Sequence, residues 1–277
     1  MTIQVARDSG VLTLTIDRPK GRNSLDDAMV ETMITELEAA QNDESVRVIL
    51  ITSTGDDFCT GFDIVGRNEN IAGLEAGDPE AGGPEAGGKP RVGAIQRRLP
   101  SQSNRLVPLI LNTQVPVVCA VRGWAIGLGL HIAVAADFCI AADDARLWEP
   151  FMKRGFTPDS GGTWLLPRLV GITRAKEMLL LGRRISGAEA AEWGLIHLAV
   201  PADSVDATVT ALVDDLSSGP TVALGLAKWL VHTGSGLGLE QHLHNEAFAM
   251  ELSSRADDFK EGIAALRDKR DPEFRGR

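Results

Sequence analysis

VVCAVRGWAIGLGLHI, residues Val117 to Ile132, is the stretch from which the rest of the chain can be read. Val117 to Val121 is apolar and β-branched enough for a buried strand, and Arg122-Gly123 turns the chain. Gly127-Leu128-Gly129 then opens an apolar helix. Glycines at a helix mouth admit a ligand close to the backbone, and first-turn N–H groups have no intrahelical acceptors. With the positive end of the helix dipole, such donors suit a developing negative charge. The plainer reading is a strand–turn–helix packing unit whose glycines permit close approach. A short glycine motif alone does not choose between the two.

Composition narrows the setting. The chain has 277 residues, 44% hydrophobic and 24% charged, enough for a large domain with or without an appendage. A net charge of −10 argues against nucleic acid or an anionic membrane as partner, so an anionic ligand needs a local cluster of cations. MTIQVARDSG has no apolar signal core, and no apolar run reaches the roughly 18 residues of a membrane helix; a cytoplasmic protein is expected. Cys59, Cys119 and Cys139 are widely spaced in apolar settings and read as reduced core thiols, with no metal site expected.

In front of the central stretch, Thr2–Arg7 and Val11–Asp17 form a hairpin pattern, and Arg18 to Asn23 breaks it with concentrated positive charge. Asp26 caps a helix to about Gln41, with Met29, Met33, Ile34 and Leu37 on one face. Val46–Thr52 follows as a buried strand. Strand, helix and strand at this spacing predict an α/β chain with parallel strands. Residues of about 66–91, with EAGDPEAGGPEAGGKP inside, read as a mobile surface loop or a flap over a pocket. A helix follows from near Val92 to Asn112, with breaks or bends at Pro100 and Pro108.

Behind the central stretch, Phe138–Ala141 and Arg146–Trp148 predict short strands, and Phe151–Trp164 an irregular segment turning helical at Gly161. Helices are expected over Ile172–Leu181 and Gly187–Trp193, and a strand over Leu195–Val200. Four further helical segments lie near 203–217, 220–233, 239–253 and 256–269. The turns Cys59–Asp63 and Gly127–Gly129 each follow a buried strand. If those strands are neighbours, both turns meet at the sheet's carboxyl edge, where two N–H groups can form an oxyanion hole.

In order, RPKGRNSL, FCTGFDI, VRGWAIGLGL, GFTPDSGGTWLLPRLVG and AAEWGLI resemble the crotonase superfamily, the enoyl-CoA hydratase/isomerase family. The likeness runs from about residue 3 to the C-terminus, apart from the region between Gly66 and Pro100. It implies a ββα superhelix over residues 1–200 and a C-terminal helical trimerisation region over 201–277, assembled as a homotrimer or a dimer of trimers. By the same resemblance the N–H groups of Phe62 and Leu128 hold the oxygen of an acyl-CoA thioester. Cys59, Gly61, Asp63, Ile64 and Gly127 become candidate substrate contacts. Lys20, Arg22 and Lys269 would meet the nucleotide of coenzyme A, Lys269 on a neighbouring subunit. Coenzyme A enters as part of the substrate, and no separate cofactor is implied.

Typical hydratases of the family carry two glutamates, at positions held here by His131 and Phe151. Hydration needs one group to activate water and another to deliver a proton, and Phe151 can do neither. Asp159, in PDSGG, stands where the isomerase branch with the ring-epoxide phenylacetyl-CoA isomerases carries its proton-moving aspartate. Isomerisation needs only one such carboxylate. Patterning alone also allows Asp159 as a helix N-cap, with Ser160 as an alternative cap. His131 can assist proton transfer, contact a polar acyl group, or be a core histidine bonded to backbone. Glu149 reads as a surface charge, and Asp143-Asp144 as a turn. Phe62, Trp148 and Phe151 would line an apolar pocket suited to an aromatic or bulky acyl group. A hydratase with non-standard acid–base residues and a non-catalytic acyl-CoA binding protein are the alternatives.

Overall fold

The computed structural model describes residues 2–66 and 93–277. Strands β1 (Thr2–Asp8) and β2 (Val11–Asp17) form the expected antiparallel hairpin, and alternate residues Leu12, Leu14 and Ile16 are fully buried. Helix α1 (Asp27–Ala40) starts where Asp26 accepts a hydrogen bond from the Met29 N–H, and it buries Met29, Met33, Ile34 and Leu37 against the sheet. Strand β3 (Val48–Ser53) pairs in parallel with β2 and with β4 (Val117–Val121). Beyond β4 the sheet continues through β6 (Phe138–Ala142) and β9 (Leu198–Val200), also in parallel. The six strands run in the order β1-β2-β3-β4-β6-β9; β3 begins at Val48 rather than Val46, and β9 at Leu198 rather than Leu195.

A second, three-stranded sheet joins β5 (Trp124–Ile126), β7 (Arg146–Trp148) and β8 (Arg184–Ser186). Of these only β7 is evident in the sequence. Three-residue strands between glycines carry no period, and they exist because they pair with distant partners. Pro100 does break the segment before β4, into α2 (Ala94–Arg98) and short 3₁₀ turns. Pro108 does not, because it sits in the first turn of α3 (Leu106–Asn112), where its missing N–H costs no helical bond. The loop expected over about 66–91 lies outside the described residues, Gly66 excepted.

Helix α4 (Leu128–Ala135) is buried on every side, which matches its all-apolar composition apart from His131. Helix α5 (Gly162–Leu179) bends at Gly171, the boundary expected before Ile172. It is followed by α6 (Gly187–Glu192) and then by α7 (Val205–Ser218), α8 (Thr221–Gly234), α9 (Leu239–Ser253) and α10 (Asp257–Asp268). Lys228 of α8 reaches into the core, donating to the carbonyl of Ile110 and pairing with Asp137 at 2.7 Å. Burial pushes its ammonium below the usual lysine range, although Asp137 opposes the shift. Among the described residues, no helix is long and apolar enough to cross a membrane.

Candidate active site

The two glycine turns meet. Cys59 bridges to Ala125, its N–H donating to Trp124 O and its carbonyl accepting from Ile126 N–H at 2.9 Å. A Cβ on Gly129 would lie 2.5 Å from the Cys59 carbonyl, and one on Gly61 would lie 2.8 Å from the Ile126 carbonyl and 3.7 Å from Leu128 N. Only hydrogen fits at either position. Leu128 opens α4, and the first intrahelical bond is donated by His131 to Gly127 O, so the Leu128 N–H points out of the helix start. On the other turn, Leu25 donates to Gly61 O and accepts from Asp63 N–H. That pairing uses the groups on either side of Phe62 and turns the Phe62 N–H to the opposite edge.

The acidic side is built from the segment after β7. Gly127 N–H donates to Trp148 O, and this bond brings Glu149 to Phe151 beneath α4. Phe151 packs 3.4 Å from where a Gly127 Cβ would stand and lies parallel to the His131 ring, 6.1 Å between centroids. Phe156 meets it edge-on. His131 itself is fully buried and bonded to side chains, not to backbone: Nε2 lies 2.8 Å from Glu149 Oε1 and Nδ1 lies 3.0 Å from Ser160 Oγ. Ser160 in turn donates to Asp159 Oδ1 at 2.9 Å. Asp159 is half-buried beside them.

Two expectations need correction here. Glu149 is no surface charge but fully buried, because a lone imidazole in an apolar helix needs a polar partner and Glu149 supplies it. Nor does Asp159 or Ser160 cap α5: the cap position is Gly161, with no side-chain cap bond. Ser160 and Gly161 both take left-handed backbone, at φ 50° and 97°, a conformation that costs a non-glycine residue about 1–2 kcal/mol. The partnership of His131, Glu149 and Ser160 was missed in the sequence. The one available signal was a single polar residue within Leu128–Ala135.

The remaining candidates are spread around this centre. Burial pushes the Cys59 thiol up to about 12, so it is no thiolate. Asp63 accepts from Gly66 N–H and pairs with Arg18 at 2.8 Å; these hold its carboxyl below the usual range, Gly66 most of all. Ile64 is exposed. Arg22 is exposed, pairs with Asp57 at 2.7 Å and lies over the Trp124 ring, with exposed Lys20 two residues before it. Trp148 packs against Trp124 and Arg184 and donates its indole N–H to Gly182 O. Lys269 is exposed at the end of α10, outside the His131 cluster.

Two backbone turns thus meet at the carboxyl edge of a parallel sheet beside a helix start, an arrangement suited to an anionic ligand. The chain belongs to the enoyl-CoA hydratase/isomerase family, whose sequence profile matches residues 6–79 and 88–277. It is 35% identical over 270 residues to the 1,2-epoxyphenylacetyl-CoA isomerase of Escherichia coli K12, covering 98% of this chain and 97% of that protein. It is 30% identical over 273 residues to the 2,3-dehydroadipyl-CoA hydratase of the same organism, covering 99% and 98%. The enoyl-CoA hydratase of Bacillus anthracis has the same fold, with a TM-score of 0.85 at 30% identity and 99% of each chain covered. The α/β crotonase-like architecture expected from the motifs is therefore the fold found.

Proposed function

We propose that the chain moves a double bond in an acyl-CoA thioester, with Asp159 removing a proton and returning it elsewhere. The observation that carries this reading is the contrast between Asp159 and Phe151. One half-buried carboxylate is joined through Ser160 to His131 of α4, while the second acid–base position of a typical hydratase is an apolar ring packed on Gly127 and His131. Glu149 does not replace it, since its Oε1 is engaged by His131 and the side chain is fully buried.

In the proposed reaction the N–H groups of Phe62 and Leu128 receive the thioester oxygen as it gains charge. Backbone donors set in advance stabilise an enolate without reorganisation. Asp159 takes the proton next to the conjugated system, and the same carboxyl delivers it to the far carbon, so no water is added. Cys59, Gly61, Asp63, Ile64 and Gly127 shape the thioester end. Phe62, Trp148 and Phe151 favour an apolar or aromatic acyl group. Lys20 and Arg22 face solvent, the Arg22 carbonyl accepting from Thr60 in the Cys59–Asp63 turn, and both would meet the phosphates of coenzyme A, as Lys269 would on a neighbouring subunit. Val231, Leu239, Phe248 and Leu266 are 62% to 76% exposed on the last helices, which supports residues 201–277 as a self-association region of a trimer or a dimer of trimers. Residues 1–200 would then form the catalytic core, in a cytoplasmic enzyme needing no cofactor beyond its thioester substrate.

The test is product mass after incubation with linear and phenylacetyl-derived 2-enoyl-CoA and 3-enoyl-CoA. An isomer of unchanged mass is expected. A gain of one water would instead make the protein a hydratase, and binding without any product would make it an acyl-CoA binding protein.

A further inference from the structure

Three hydrogen bonds run in series from the interior to the proposed base: Glu149 Oε1 to His131 Nε2, His131 Nδ1 to Ser160 Oγ, and Ser160 Oγ to Asp159 Oδ1, at 2.8, 3.0 and 2.9 Å. A serine hydroxyl has one hydrogen, and here Ser160 donates it to Asp159. The bond between Oγ and His131 must then be donated by Nδ1. Nε2 faces a carboxyl oxygen of Glu149, which only accepts while Glu149 is ionised, so in that state Nε2 carries hydrogen as well. Three bonds among these four groups thus require an imidazolium at His131 when Asp159 and Glu149 are both ionised.

We infer that Glu149, His131 and Ser160 form a buried positioning chain for Asp159, with His131 held as a cation between Glu149 and the Ser160 hydroxyl. The chain fixes Asp159 through Oδ1 and leaves Oδ2 to move the substrate proton. His131 is a positioning residue and does not touch the substrate. This inference rests on Asp159 being the acid–base group proposed above.

The surroundings are shaped for this chain. A Cβ on Gly162 would stand 2.2 Å from His131 Nε2, so the start of α5 is glycine where the ring passes. Ser160 accepts a left-handed backbone at φ 50°, and such an outlier is retained where its neighbours over-determine it. Other ionisable groups are few on the elements packed against α4. Leu106–Asn112 and Trp124–Ile126 bring none, and Val117–Val121 and Phe138–Ala142 bring Cys119 and Cys139. Helix α5 brings Arg168, which is turned over Trp164, and beyond its bend Arg174 over Trp193, exposed Lys176, and Glu177 paired with Arg183. Lys153 and Arg154, just beyond Phe151, are exposed. Glu149 is therefore the counter-charge in contact with the ring.

Long-range proton–nitrogen NMR of the ¹⁵N-labelled protein at neutral pH tests this without substrate, with the His131 signals assigned by their loss in His131→Gln. Both ring nitrogens are expected to be protonated, and in Glu149→Gln the ring is expected to lose one proton. A wild-type ring with one bare nitrogen would overturn the cation at His131 while leaving the role of Asp159 standing. The kinetic arm uses Ser160→Ala and Glu149→Gln, expected to lower kcat by about 10²-fold with KM little changed, as for a misplaced base. Equal changes in kcat and KM, or none, would overturn the positioning role. If the ring is doubly protonated but Asp159→Asn turns over normally, the proposed reaction fails and not the charge state of His131.

Discussion

Glu149 Oε1 lies 2.8 Å from His131 Nε2, and neither side chain is exposed to solvent. Taking one partner from a buried pair leaves the other uncompensated, at about 3–5 kcal/mol, more than the pair gains the fold. Glu149→Ala is therefore expected to lower unfolding free energy by about that amount in urea titrations. Glu149→Gln, which keeps the shape and an acceptor oxygen, is expected to lose about half as much or less. An alanine variant as stable as the parent would mean that the pair is not buried.

The contact between the two glycine turns is equally open to test. Gly129→Ala would set a methyl 2.5 Å from the Cys59 carbonyl and 2.7 Å from its Cβ, on backbone that cannot step aside. Overpacking of this kind costs about 1–3 kcal/mol. The variant is expected to lose that stability and most of its turnover, since Leu128 would be pushed away from the Phe62 turn. Full turnover with an unchanged melting curve would show that the turns are not in contact.

Much of this arrangement was legible in the chain, and the rest was not for definable reasons. Asp26 and the apolar face from Met29 to Leu37 announced α1, because capping and period are local properties. Strands β2 and β7 and the turns at Cys59 and Gly127 were legible for the same reason. Trp124–Ile126 and Arg184–Ser186 were not, because each runs into a glycine and exists through pairing with Arg146–Trp148. Glu149 looked like an ordinary surface charge between Trp148 and Pro150, for its partner His131 is 18 positions away. The left-handed backbone of Ser160, which carries its hydroxyl between His131 and Asp159, has no signature in a serine.

The C-terminal tail should respond to acid. Glu261 accepts from the Arg270 guanidinium and from the Glu273 N–H, and these bonds lower its carboxyl from 4.5 to about 2. A depressed carboxyl contributes its full stabilisation above its unfolded value, and that contribution is lost as pH falls through the folded one. Hydrogen-exchange protection of the Glu273 amide is therefore expected to be full above pH 4.5 and to fall as the pH approaches about 2. In Glu261→Gln it should already be low at neutral pH. Protection that rises on acidification would contradict this docking.

The most direct measurement on the central claim is the rate at which Asp159→Asn converts 3-enoyl-CoA to 2-enoyl-CoA, set beside its affinity for the same ester. Removal of an acid–base group costs about 10²- to 10⁴-fold in rate. A loss in that range with binding retained is expected, because Phe62, Leu128 and the cationic residues are untouched. An asparagine variant that isomerises at the parental rate would contradict it.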